Sequence, residues 1–164
     1  MEYAVAAIVI GIGATATMDV WAVVRRKLLG TSLPNYAMVG RWIAHMRHGQ
    51  FHHHSIAAST AVRGESVIGW TAHYLIGIAF AGLLIGIWGT GWIERPTLGP
   101  ALIVGLGTVV APFLLMQPGM GAGIAASRTA RPRAARMQSV VTHLVFGVGL
   151  YGTGLVLSYI STAV

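Results

Sequence analysis

Cysteine is absent from this 164-residue chain, which excludes disulfides, thiolate metal sites and thiol nucleophiles. Acidic residues are almost as scarce: the four are Glu2, Asp19, Glu65 and Glu94. They form no close pair, and no Gly-x-Ser-x-Gly elbow is present, so the common signatures of a hydrolase are missing. Ser127 beside Arg128 is the one surface nucleophile worth naming, and an enzyme acting on inner-leaflet lipids is the weakest of the functional readings. Charged residues of both signs make up only 9% of the chain, against roughly 25% in ordinary globular proteins. A soluble domain is therefore not the expectation.

What fills the chain is apolar. Hydrophobic residues account for 55%, and the 22 glycines lie within apolar runs, where they suit close helix packing better than disorder. Four such runs approach the roughly 20 residues that cross a hydrocarbon core of about 30 Å. They cover about 3–24, 67–88, 98–116 and 139–160, and they predict an all-α, polytopic membrane protein forming a single four-helix transmembrane domain. The basic run Arg25-Arg26-Lys27 follows the first span rather than preceding it, unlike a cleaved signal peptide. Within the loop over 25–66, Val39 to His54 carries Trp42, Ile43, Met46 and Phe51 among basic residues and histidines, a spacing that suits an interfacial helix. Pro112 is expected to kink the third span and Pro118 to mark its end. Trp21, Trp42, Trp70, Trp88 and Trp92 fall near the expected boundaries and read as interface anchors.

The net charge of +7 is unevenly placed. Arg25, Arg26, Lys27, Arg41, Arg47 and Arg63 lie in one interhelical segment, and Arg128, Arg131, Arg133 and Arg136 in another; only Arg95 lies elsewhere. Alternation of this kind orients a chain by the positive-inside pattern, with both termini in the periplasm of a bacterial inner membrane. It makes anionic headgroups the expected partner of Arg25, Arg26, Lys27, Arg128, Arg131, Arg133 and Arg136. Nucleic acid is not expected, because neither aromatic platforms nor a groove-reading motif accompanies the arginines.

A weak repeat relates the second and fourth spans: His73, Gly77 and Gly82 align with His143, Gly147 and Gly152. It suggests a duplicated helical hairpin. Counting depth from the basic loops, with about 1.5 Å of rise per residue, brings Asp19, His73, Gln117 and His143 to one layer near the cytoplasmic face. An intramembrane carboxylate costs about 2.5–3.5 kcal/mol on insertion scales and calls for a partner. The plainest role for such a layer is structural, as hydrogen-bonded ties of about 0.6 kcal/mol each. Beyond that, His73 and His143 can ligate a b-type haem, or with Asp19 a transition metal, or the layer can bind another small ligand as part of a larger membrane complex. The same residues can instead relay protons in a transporter or channel component. Four spans are few for a carrier, so a homodimer is implied, and Gly82-x-x-x-Gly86 and Gly119-x-x-x-Gly123 permit close helix contact. In the loop, His45, His48, His52 and His54 form a second, weaker metal-binding pattern, and Glu65 is placed to cap the second span or to pair with Arg63.

Four stretches carry a resemblance: Gly11-x-Gly-Ala-Thr-x-Thr-Met-Asp19, Gly69-Trp-x-x-His73-Tyr-x-x-Gly77, Pro112-x-x-x-Met-Gln-Pro-Gly119-x-Gly-x-Gly-x-Ala-Ala-Ser127, and His143-x-x-Phe-Gly-x-Gly-Leu-Tyr151. Together they resemble a family of small bacterial membrane proteins of unknown function. The resemblance spans nearly the whole chain and implies four spans in a bacterial inner membrane.

Overall fold

A computed structural model describes residues 2–162. The described residues contain helices, turns and loops, with no strand among them. The principal helices are α1 (Tyr3–Leu29), α2 (Tyr36–Met46), α3 (Glu65–Trp88), α4 (Leu98–Gly119) and α5 (Pro132–Thr162). All but α2 are long and apolar enough to cross a membrane.

Each long helix ends where local chemistry stops it rather than where hydropathy falls. The first runs on through Arg25-Arg26-Lys27 to Leu29 and stops at Gly30, whose left-handed φ of 63° lets its N–H bond Arg26 O. The last begins at Pro132, well before the apolar run, because proline's fixed φ and missing N–H suit a first helical position. In α4 the expected disturbance takes a defined form. Pro112 has no N–H to offer, and Pro112–Met116 widens into a π-helical turn closed by Gln117 N–H on Pro112 O.

Contacts divide the chain into two compact units. The first comprises residues 2–33, 74–108 and 141–162 of the described chain. Small residues let its four helical segments approach closely. A Cβ on Gly11 would lie 2.4 Å from Ile78 Cα, and one on Gly77 would lie 2.0 Å from Thr15 Oγ1. Gly105 and Gly147 make the same kind of contact between α4 and α5: a Cβ on Gly105 would lie 2.6 Å from Gly147 Cα. The matched glycines Gly77 and Gly147 thus do the same job in each hairpin, as the repeat suggested. The outer glycines of the repeat differ, since Gly82 lies under Tyr3 and Gly152 has nothing near it. Ile10, Leu84, Ile85, Phe146 and Leu150 fill the core between these contacts.

Outward, the same helices are apolar. Val20, Ile87, Ile103 and Val156 are each more than half exposed, and at most 33% of any span's apolar window is buried. A soluble bundle would place polar residues there; lipid accepts what is present. The chain is a multi-pass membrane protein. Trp92 departs from the anchor pattern. It is buried, donates through Nε1 to Thr97 O at 3.2 Å, and packs where Gly154 leaves room.

The second unit comprises residues 34–73 and 109–140. Its α2 stops at Met46 rather than reaching His54, and it lies against the start of α3. A Cβ on Gly40 would fall 1.8 Å from Glu65 O, and one on Gly69 1.8 Å from Tyr36 O. The loop after α2 is zipped to the glycine-rich connector: His53 N–H bonds Gly119 O at 2.8 Å, and Ile56 N–H bonds Met120 O at 3.1 Å. Gly119 gives space to the Trp42 indole, and Gly121 to the backbone of His53 and His54. Gly119 and Gly123 are therefore used inside the chain, as Gly82 and Gly86 are beneath Tyr3.

Candidate functional site

Polar groups in the first unit sit one helical turn beyond its glycine contacts. In the α1/α3 hairpin, Asp19 follows Thr15 by one turn and Tyr74 precedes Gly77 by about the same. Their side chains meet: Tyr74 Oη donates to Asp19 Oδ2 at 2.9 Å. In the α4/α5 hairpin, Thr108 follows Gly105, His143 precedes Gly147, and Thr108 Oγ1 lies 3.0 Å from His143 Nδ1. Each hairpin thus carries one cross-helix hydrogen bond about a turn from its packing glycine, though from different positions of the repeat, since His143 aligns with His73 and not with Tyr74.

Thr108 Oγ1 also lies 2.7 Å from Gly105 O, so the hydroxyl bridges a carbonyl of its own helix and the imidazole of α5. The first bond leaves Asp19 as acceptor, in a stretch of α1 with no other charge between Tyr3 and Val24.

His73 and Gln117 belong to the second unit. His73 Nε2 lies 2.9 Å from Tyr36 Oη, and the two rings stack with centroids 4.1 Å apart. Trp70 lies edge-on to the same imidazole at 5.9 Å. Gln117 closes the π turn through its backbone, its Nε2 reaches Ser139 Oγ at 3.4 Å, and its Oε1 is buried with no partner. π turns recur at functional positions because they swing one side chain out of helical register.

The loop histidines separate. His45 Nε2 is 3.1 Å from Thr60 O and its Nδ1 is 2.8 Å from His53 Nε2, while His53 Nδ1 is 3.2 Å from Gly119 O. His48 instead accepts from Arg47 Nε at 3.0 Å, and His52 and His54 are exposed. Among the described residues no group of three His, Asp or Glu side chains is arranged to hold a metal ion.

Glu65 has a different partner from the neighbouring Arg63. Arg41, buried beneath the loop, donates Nε and Nη2 to the two Glu65 oxygens, each at 2.8 Å, and Nη1 to Ile56 O and Ser59 O at 3.2 and 3.0 Å. Glu65 also accepts from Val62 N–H at 2.9 Å. Hydrogen bonding to Glu65 raises the Arg41 pKa further above its ordinary value. The planar guanidinium reaches both carboxylate oxygens at once, which sequence neighbours on a turn cannot arrange.

The family model described as protein of unknown function DUF2938 matches residues 8–157. The chain belongs to this family. Neither a curated protein nor a solved structure matches it. The family's match covers every residue of the two cross-helix pairs and of the Arg41–Glu65 pair.

The sequence does not mark Tyr74, Thr108 or Tyr36 as site residues, whereas His53 stands in the loop's histidine group. Tyrosine and threonine are ordinary in membrane helices, so nothing in composition marks them. The available signal was positional, since Tyr74 and Thr108 each lie one turn from a packing glycine.

Proposed function

We propose that the chain exchanges a proton at Asp19 as a proton-coupled transporter or channel component of the bacterial inner membrane. One observation carries this reading: all four spans supply a member to two cross-helix hydrogen bonds, Tyr74–Asp19 and His143–Thr108. An intramembrane carboxylate is costly and persists where it pairs or exchanges a proton. Tyr74 Oη is placed to stabilise the carboxylate, and the His143 imidazole is a second group able to carry a proton. The cofactor reading has less to stand on, because the metal alternative lacks a three-ligand cluster among the described residues and Tyr36 already engages Nε2 and one face of His73. The grouping of basic residues into 25–63 and 128–136 supports an orientation with those loops in the cytoplasm and both termini in the periplasm. Anionic headgroups are the partners proposed for Arg26, Lys27, Arg128, Arg131, Arg133 and Arg136. A homodimer is the assembly this role implies.

The test is proton flux. Purified protein is reconstituted into vesicles holding a pH-sensitive dye, and a potassium diffusion potential is imposed with valinomycin. Wild type is expected to acidify or alkalinise the lumen above protein-free vesicles, with Asp19→Asn at background and Tyr74→Phe between them. Equal flux from wild type and Asp19→Asn would remove Asp19 from the mechanism.

A further inference from the structure

The connection between α3 and α4 is folded back onto the last turns of α5. Two buried side chains anchor it: Trp92 packs where Gly154 leaves room, and Ile93 is 7% exposed. The single helical turn Gly91–Glu94 follows Thr90. With Trp92 and Ile93 turned inward, Thr90 and Glu94, four residues apart, are left exposed. On α5, Ser158, Ser161 and Thr162 stand at the spacing of one helix face. One cavity of about 190 Å³ lies between these two sets, lined by Thr90, Ile93, Glu94, Ser158, Ser161 and Thr162. At about 30 Å³ for each water, that is space for roughly six.

The lining holds a single charge, and it is negative. Among the described residues Glu94 has no salt-bridge partner, and Arg95 beside it does not line the cavity. The last turn of α5 carries no basic residue either, so no side chain offsets the negative end of that helix dipole. A carboxylate among four hydroxyls calls for a cation. A divalent metal ion draws on six or more oxygens, usually from several carboxylates, and one carboxylate is present. A quaternary ammonium is held by aromatic faces, and no aromatic side chain lines the cavity. Ile93 and the threonine methyl groups offer apolar surface that a bare monovalent ion cannot use. The carbon next to a protonated amine can use it, and a primary ammonium brings three N–H donors and no acceptor.

We propose that this cavity binds a primary ammonium group, with Glu94 as its counter-ion and the hydroxyls of Thr90, Ser158, Ser161 and Thr162 as further acceptors. A small soluble amine and a phosphatidylethanolamine headgroup both present that group. The cavity lies where the spans Glu65–Trp88 and Pro132–Thr162 end, at a level either source reaches.

Full-length protein in phosphatidylcholine nanodiscs, in a buffer free of amines, tests the proposal in two arms read by thermal stability. One arm titrates ethanolamine at constant ionic strength; the other replaces part of the lipid with phosphatidylethanolamine. A saturating rise in Tm is expected in at least one arm. A rise with ethanolamine identifies a soluble amine as ligand, and a rise with phosphatidylethanolamine alone identifies the headgroup. Glu94 is exposed, so Glu94→Gln is expected to fold and to weaken binding at least about tenfold, the scale of a lost hydrogen bond to a charged group. Ser161→Ala is expected to weaken it about threefold. Glu2→Gln, which alters a carboxylate outside the lining, leaves binding within about twofold. No saturating response in either arm, a response that Glu94→Gln leaves unchanged, or the same response to tetramethylammonium overturns the site. Neither arm measures proton flux, so the two proposals stand or fall separately.

Discussion

Among single residues, the visible and the hidden parts of the site divide by chemistry. Asp19 and His143 stand out in the sequence because a charge or an imidazole inside an apolar run is rare and costly. Their partners do not, because a tyrosine or threonine hydroxyl is tolerated in any helix by bonding a preceding carbonyl, as Thr15 does to Gly11 O at 2.7 Å. The loop histidines could not be sorted by spacing. Which of them turns inward is decided by the glycine-rich connector, against which His53 makes two contacts. That connector also holds strain. Ala125 and Ala126 follow one another at φ of 47° and 58°, and Arg136 Nε holds Ala125 O at 2.8 Å. A left-handed non-glycine residue costs roughly 1–2 kcal/mol. Ala125→Gly is therefore expected to raise stability by about 0.5–1 kcal/mol after glycine's greater unfolded entropy is counted. Thermal unfolding in detergent checks this, and an unchanged or lowered Tm would show that the backbone is not strained there.

Helices were legible in existence and type, less so in their ends. Hydropathy marks where a chain enters lipid, whereas a helix stops at a cap, which is why α1 continues to Gly30 and α5 starts at Pro132. Of the stretch from Val39 to His54, only the part up to Met46 is helical, as α2, which Gly40 and Gly69 hold to α3 while the chain beyond Met46 bonds the connector. The duplicated hairpin rests on close packing at one glycine pair per copy. In the second copy, a Cβ on Gly105 would strike backbone, while Gly107 has nothing within 4 Å. Gly105→Ala is expected to destabilise by about 1–3 kcal/mol through overpacking. Gly107→Ala, on the open face of the same helix, should be neutral or stabilising by up to about 1 kcal/mol. Equal effects on Tm would mean that the α4/α5 contact is not tight.

For the molecule as a whole, the absence of cysteine makes the proposed orientation straightforward to test. A single cysteine at Thr97, in the short connection before α4, is expected to react in intact cells with a thiol reagent that cannot cross the inner membrane. One at exposed His52, in the basic loop, should react only after the membrane is opened. The reverse pattern would invert the proposed topology and place both termini in the cytoplasm.

Proton exchange at Asp19 is tested most directly by infrared difference spectroscopy of the membrane-reconstituted protein as pH is changed. The expected result is a carboxyl C=O stretch that appears and disappears with pH, is missing from Asp19→Asn, and shifts in frequency when Tyr74→Phe removes its hydrogen bond. A difference spectrum in the carboxyl region that Asp19→Asn leaves unchanged would contradict the proton role.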